Sequence, residues 1–318
     1  MRIEDAKVIF FCIFAFSIIV LMPKKRILFI VNPISGHKAK QSFPTRAARC
    51  LDSADFDYEI VFTAHAGHAT SLAEEAVGRY DIVAAVGGDG TINEVARSLI
   101  GTETALAVIP YGSGNGLARS LHLPLRTDKA LALLPQSTIQ TIDTATLNGT
   151  PFVSVAGIGL DAQTAYDFSR DPRRGFLPYS QYALANYLHF KEERYKITFD
   201  GQSTLECSPL LITFANANQF GYNAVIAPHA SLQDGLIDTC ILNRPTLLQA
   251  PTTAMKMMTG HLDRDRHFTE IKAQHILVER AGEGVVNIDG EPVVMPATLD
   301  IRMVPASLKI VCPCGTKR

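Results

Sequence analysis

The chain has 318 residues, a formal net charge of −1 at pH 7, 47% hydrophobic and 19% charged residues. That length exceeds one small core and fits two domains, and the composition is globular rather than fibrous or disordered. A charge this close to zero excludes a global field steering the protein to nucleic acid, so any basic patch acts locally.

The first 22 residues stand apart. Val8 to Met22 is almost unbroken apolar sequence, followed by Pro23-Lys24-Lys25-Arg26. As a helix it would span about 22 Å, short of the roughly 30 Å hydrocarbon core. No small-x-small cleavage site follows it. Either translation begins at Met22, or the segment is a short membrane-dipping anchor with Lys24, Lys25 and Arg26 on the cytoplasmic side.

From there strands and helices alternate. Apolar runs at Ile27–Val31, Tyr58–Thr63, Asp81–Val86 and Ala105–Ile109 read as strands. Helical spacing appears at Pro44–Leu51, Ala69–Val77 and Ile92–Leu99, and Leu117–Leu121 opens another helix. Short turns between them predict a parallel α/β sheet, whose ligands lie outside the carboxyl ends of the strands. The pattern changes near residue 140. Nine β-rich runs follow: 139–147, 152–156, 196–200, 210–215, 236–242, 276–279, 285–288, 298–303 and 308–312. Asn148-Gly149, Asp200-Gly201, Asp234-Gly235 and Asp289-Gly290 mark turns. These predict an antiparallel β-sandwich interrupted by helices at Ser180–Glu193 and Thr246–Thr259. The expected division is 1–22, 23–140 for the α/β unit and 141–318 for the β unit, with the extreme C-terminus packing back on the first.

Three glycine-rich turns, each after a strand, carry the chemistry: Asn32-Pro33-Ile34-Ser35-Gly36, Gly87-Gly88-Asp89-Gly90-Thr91 and Gly112-Ser113-Gly114-Asn115. Glycines let the backbone approach phosphate oxygens, and main-chain amides with helix N-termini suit a polyphosphate. Asp89 would repel phosphate, so it fits either a Mg²⁺ between the two or proton abstraction from an acceptor hydroxyl. A plain Asp-Gly turn with Thr91 as a helix cap is the competing reading. Arg119 either neutralises phosphate or is a solvated helix residue. The six cysteines are scattered except for Cys312-Pro313-Cys314, which lacks a second Cys or His pair at zinc spacing, and they read as reduced thiols.

The three turns in this order resemble the diacylglycerol kinase catalytic-domain superfamily, which includes bacterial soluble lipid kinases, sphingosine kinases and ceramide kinases. The resemblance runs from about residue 24 nearly to the end. It implies an N-terminal α/β nucleotide domain similar to those of NAD kinases and phosphofructokinases, a C-terminal β-sandwich, and transfer of the ATP γ-phosphate to a lipid hydroxyl. By resemblance the nucleotide contacts are Asn32, Pro33, Ser35, Gly36, Thr63, Gly87, Gly88, Gly90, Thr91, Asn93, Glu94, Gly112, Ser113, Gly114 and Asn115. Asp161, in Gly157-Ile158-Gly159-Leu160-Asp161-Ala162, would contact the lipid head group, or is a capping aspartate. Glu291, in Asp289-Gly290-Glu291, is implied as the general base, with Asp89 as the other choice. A catalytic Mg²⁺ would travel with ATP. A second, structural Mg²⁺ would sit on the Asp234 carboxylate and the main-chain carbonyls of Ser231 and Leu236, where a plain Asp-Gly turn is the alternative.

Arg170, Arg173, Arg174, Lys191, Arg194 and Lys196 flank an aromatic-rich stretch from Phe168 to Phe190. Such a segment suits a membrane surface, or is a core helix with a solvated rim. The expected protein is therefore cytoplasmic and peripherally bound to the inner face of a membrane, with a lipid substrate and no nucleic-acid partner. A homodimer is left open. Competing functions are an NAD kinase-like enzyme and a non-catalytic, nucleotide-responsive lipid-binding protein.

Overall fold

The computed structural model describes residues 24–34, 42–51, 56–171, 173 and 175–314. The apolar N-terminal segment, Ser35, Gly36 and Arg174 lie outside the described residues.

Strands β1 (Lys25–Val31), β2 (Phe56–Phe62), β3 (Ile82–Gly87) and β4 (Ala105–Pro110) pair in parallel in the order β2-β1-β3-β4. Their runs are apolar because both faces are covered. Leu28 and Ile30 of β1 pack with α2 (His68–Ala76) and α3 (Asp89–Leu99). The alternate residues Ile27, Phe29 and Val31 meet α1 (Phe43–Cys50) and α5 (Thr127–Leu133), whereas Leu117 and Ala118 of the short α4 (Gly116–Ser120) pack with the first set. This alternation is the two-residue strand period, with each face owned by a different helix pair.

The second half starts with β5 (Ser137–Leu147), β6 (Thr150–Phe152) and β7 (Val155–Gly159), then α6 (Leu160–Ser169) and α7 (Phe176–His189). Strands β8 (Tyr195–Phe199), β9 (Ser203–Cys207), β10 (Leu211–Ala215) and β11 (Ile237–Leu242) follow, then α8 (Ala250–Met258). The last strands are β12 (Phe268–Ala273), β13 (His275–Glu279), β14 (Gly284–Ile288), β15 (Glu291–Met295) and β16 (Thr298–Pro313). An antiparallel sheet runs β12-β11-β10-β7-β14-β15. It faces β5, β8, β13 and the first part of β16 across one core, in which Phe152, Ile197, Ile276 and Ile301 meet Ile158, Ile212, Phe214 and Ile288. Burying each such side chain contributes about 1.5–3 kcal/mol. The chain is thus a parallel α/β domain followed by an antiparallel β domain.

Two runs read separately in the sequence, 298–303 and 308–312, are one strand. β16 is broken only by a register shift between Val304 and Leu308, where Ala306 has φ 48°. Its first part pairs β13, and Ile310 lies beside Leu106 of β4 in parallel. The 139–147 run, assigned by sequence to the sandwich alone, pairs along nearly all of β16 and so joins the larger sheet. Helices α5 and α6 were not foreseen, nor were the strands at 203–207, 268–273 and 291–295, and α7 and α8 begin and end a few residues from the expected spans. Among the described residues, no helix is long and apolar enough to cross a membrane.

Candidate active site

The register of β3 on β4 sets Gly87 opposite Pro110, so the second and third glycine turns leave the sheet side by side. A Cβ on Gly112 would lie 2.6 Å from the Gly88 Cα, and one on Gly114 would lie 2.7 Å from an Asp89 oxygen. Only glycine allows this approach. Helix α3 starts at Asp89, three residues earlier than the apolar spacing predicts, so Asp89, Gly90 and Thr91 form its first turn. Asn32, at the end of β1, donates from Nδ2 to Thr91 Oγ1 at 2.9 Å, which brings the first turn to the same point.

Asp89 ties the second turn to the third. Its two oxygens accept from the main-chain amides of Asn115 at 2.9 Å and Gly116 at 2.7 Å. Burial pushes its carboxyl above the usual range against the opposing pull of those amides.

The opposite wall is the β14–β15 hairpin. Asp289 (φ 52°) and Gly290 (φ 90°) both take the left-handed conformation that an Asp-Gly two-residue turn supplies. Sequence reading passed over Asp289 as a turn residue, yet it is buried and accepts from the amides of Val153 and Ser154 at 2.8 Å and Val155 at 3.0 Å. Burial raises its pKa while the three amides hold it down. Asn93 on α3 donates to the Asp289 carbonyl at 2.8 Å, linking the helix directly to the hairpin. One helical turn along, Arg97 pairs with Glu291 at 3.0 Å. Arg97 was also missed, although it sits on the helix face of Asn93, four residues on.

One cavity of about 1770 Å³ joins these parts. Of the expected site residues it is lined by Asn32, Gly88, Asp89, Gly90, Thr91, Asn93, Gly112, Ser113, Gly114, Asp161 and Glu291. Gly87 and Asn115 support the turns from behind, and Asn115 Nδ2 donates to the Gly112 carbonyl at 3.0 Å. Pro33 follows β1. Thr63 follows β2, where its amide donates to the Val31 carbonyl. Glu94 turns away to accept from the Gly67 amide at 3.3 Å. Pro33, Thr63 and Glu94 are outside the cavity lining.

Deeper in, Asp161 opens α6, and burial pushes its carboxyl up to about 7. Asn287 Nδ2 lies 3.4 Å from one of its oxygens, and the other is buried without a hydrogen bond. An acceptor left this way awaits a polar group on a ligand or a water. Beyond it the cavity wall is apolar, with Leu160, Phe168, Leu211, Leu242 and Met257, and its mouth reaches Leu184 and Leu247.

The Asp234 turn is elsewhere, against β12. Its carboxylate accepts from Lys272 Nζ at 2.8 Å and from the Leu236 amide at 3.2 Å, and Lys272 also lies 3.2 Å from the buried Asp238. Among the described residues no group of three His, Cys, Asp or Glu could hold a metal ion. In this arrangement the Asp234 carboxylate of the Ser231, Asp234 and Leu236 set is paired with an ammonium. In the basic rim, Arg173, Arg194 and Lys196 are paired with Asp171, Glu206 and Glu279.

Both halves of the chain resemble known proteins. The model of the diacylglycerol kinase catalytic domain matches residues 26–147, and that of the YegS C-terminal NAD kinase beta sandwich-like domain matches residues 154–312. Diacylglycerol kinase of Bacillus subtilis is 30% identical over 274 residues, covering 84% of this chain and 90% of the relative. The chain belongs to the diacylglycerol kinase and YegS lipid kinase family. A second relative of this lipid kinase family, the "Probable lipid kinase YegS-like" of Pseudomonas aeruginosa, is 30% identical over 304 residues, 93% of this chain and 97% of its own. A Bacillus anthracis diacylglycerol kinase structure shares the fold, with TM-score 0.71 and 23% identity over 93% of this chain and all of that one. An NAD kinase from Archaeoglobus fulgidus in complex with ATP shares it more loosely, with TM-score 0.53 and 12% identity over 91% and 94% of the two chains.

Proposed function

We propose that this family member is an ATP- and Mg²⁺-dependent kinase that transfers the γ-phosphate to the hydroxyl of a lipid, such as a diacylglycerol or a sphingoid base. The observation that carries the reading is the single cavity shared by the glycine turns, two acidic walls and an apolar interior. The triphosphate lies against the N-terminus of α3 and the second and third turns, where amides and the helix dipole favour anionic oxygens. A Mg²⁺ held by the triphosphate would supply neutralisation of charge on the transferring phosphoryl group.

Glu291 takes the proton from the lipid hydroxyl, whose oxygen then bonds to the γ-phosphorus as the bond to the ADP oxygen breaks. Arg97 orients that carboxylate. Two features favour Glu291 over Asp89 as the base. Asp89 spends both oxygens on main-chain amides, whereas Glu291 has one ion pair and a side chain that is 45% exposed. Asp161 receives a polar group of the lipid, and the apolar wall beyond receives acyl chain.

The lipid enters from a membrane surface. Leu177, Leu184 and Leu188 fall on one face of α7 and are exposed, as are Leu247, Leu248 and Met255 at α8. Leu184 and Leu247 belong to the cavity mouth as well, so the apolar patch is continuous with the proposed lipid site. The protein then works at the cytoplasmic face of the membrane.

Incubation with γ-labelled ATP, Mg²⁺ and total lipid extract tests the reading. Label in a chloroform-soluble product supports it. Label in a dinucleotide would favour an NAD kinase, and nucleotide binding without transfer would favour a sensor.

A further inference from the structure

The connection from β10 to β11 reaches across from the β domain and lies on the third glycine turn. Gly221, Tyr222 and Asn223 have φ values of 120°, 52° and 66°, three consecutive residues in the left-handed region. A lone asparagine there is common, but a tyrosine is not, and such backbone persists only where surrounding contacts over-determine it. The contacts are present. The Tyr222 amide donates to the Gly114 carbonyl at 3.2 Å, and Arg119 Nε donates to the same carbonyl at 2.9 Å. Arg119 Nη1 also donates to Asn223 Oδ1 at 2.6 Å. A Cβ on Gly221 would lie 3.2 Å from Gly114 Cα, so backbone rests on backbone. The Tyr222 hydroxyl donates to Ser113 Oγ at 2.5 Å, and both residues line the cavity.

A serine hydroxyl has one hydrogen and two acceptor sites. When Tyr222 donates to Ser113 Oγ, the serine hydrogen is left to donate elsewhere, and the cavity side is where an anionic oxygen would lie. Resting on the reading that ATP lies against this turn, we propose that Tyr222 is a positioning residue for the nucleotide: it fixes the Ser113 hydroxyl rotor as a phosphate donor and clamps the third turn from the β domain. It acts through Ser113 and does not take part in the proton transfer.

The test compares Tyr222→Phe, Ser113→Ala and the double variant, by KM for ATP and by direct binding of a fluorescent ATP analogue. Tyr222→Phe keeps the ring on Gly114 and removes one hydrogen bond, so KM and Kd for the nucleotide rise about fivefold. The KM for lipid, kcat and Tm stay at parental values, which a merely structural role would not produce. Ser113→Ala loses at least as much, and the double variant is no weaker than Ser113→Ala alone. Tyr222→Gly, which relieves the left-handed tyrosine, stays folded and shows a nucleotide loss of at least the size seen with Tyr222→Phe. Parental nucleotide affinity in Tyr222→Phe alongside a loss in Ser113→Ala overturns the positioning role alone, as do losses that multiply in the double variant. Parental affinity in both single variants overturns the nucleotide site on which the role rests.

Discussion

Glu291→Gln separates chemistry from architecture. The glutamate side chain is 45% exposed and pairs with Arg97, itself 23% exposed, at 3.0 Å. An ion pair of that exposure contributes at most about 1 kcal/mol to stability. Glutamine keeps the volume and can still accept from Arg97. A positioned general base, by contrast, contributes about 10²–10⁴ in rate, or about 2.7–5.4 kcal/mol of barrier. The variant is therefore expected to unfold within about 1 kcal/mol of the parent in urea. Its kcat for label transfer from ATP to lipid vesicles falls by two to four orders of magnitude, about the size of the general-base contribution. A kcat within about tenfold of the parent would refute the base assignment, since that loss lies below the range for such a group. A kcat loss that tracked a comparable loss of stability would refute it as well, because the carboxylate would then be holding the hairpin rather than the proton.

Other variants probe the remaining parts. Asp89→Asn keeps one acceptor but points an amide donor at a main-chain N–H, so stability falls by about 1.5–3 kcal/mol and KM for ATP rises; an unchanged urea midpoint would dismiss the pinning role. Asp161 has its pKa raised by burial from 3.8 to about 7. The folded protein therefore holds that proton more tightly, and this contribution to stability is present below about pH 4 and lost as pH rises through about 7. In Asp161→Asn that loss, at most about 4 kcal/mol, disappears from the pH dependence of unfolding. Identical pH profiles for parent and variant would contradict the burial account. Leu184→Glu, at a position 63% exposed, is expected to weaken sedimentation with lipid vesicles by about tenfold while Tm is unchanged. Parental vesicle binding would place the membrane contact elsewhere.

Much of the α/β half was legible because buried parallel strands are apolar runs and their turns need glycine. The start of α3 was not: Asp89, Gly90 and Thr91 carry no apolar periodicity, and the helix begins there because Gly88 leaves the strand in an extended conformation and Asp89 is held by amides of the neighbouring third turn. Helix α6 escaped notice because it is buried along much of its length and lacks an amphipathic pattern. β16 reads as two strands because Pro305 and Ala306 interrupt it, and only the shared pairing with β5 reveals one element. The site residues that sequence reasoning found sit in glycine motifs. Those it missed, Asp289, Arg97 and Tyr222, act on partners more than 100 residues away, which no local pattern encodes.

The most direct measurement is a crystal structure with a non-hydrolysable ATP analogue and a lipid alcohol. The account predicts the γ-phosphate at the N-terminus of α3 beside Ser113, and a lipid hydroxyl about 3–3.5 Å from it and within hydrogen-bond reach of Glu291. A triphosphate bound away from the second and third glycine turns, or a lipid hydroxyl on the far side of the protein from Glu291, would contradict it.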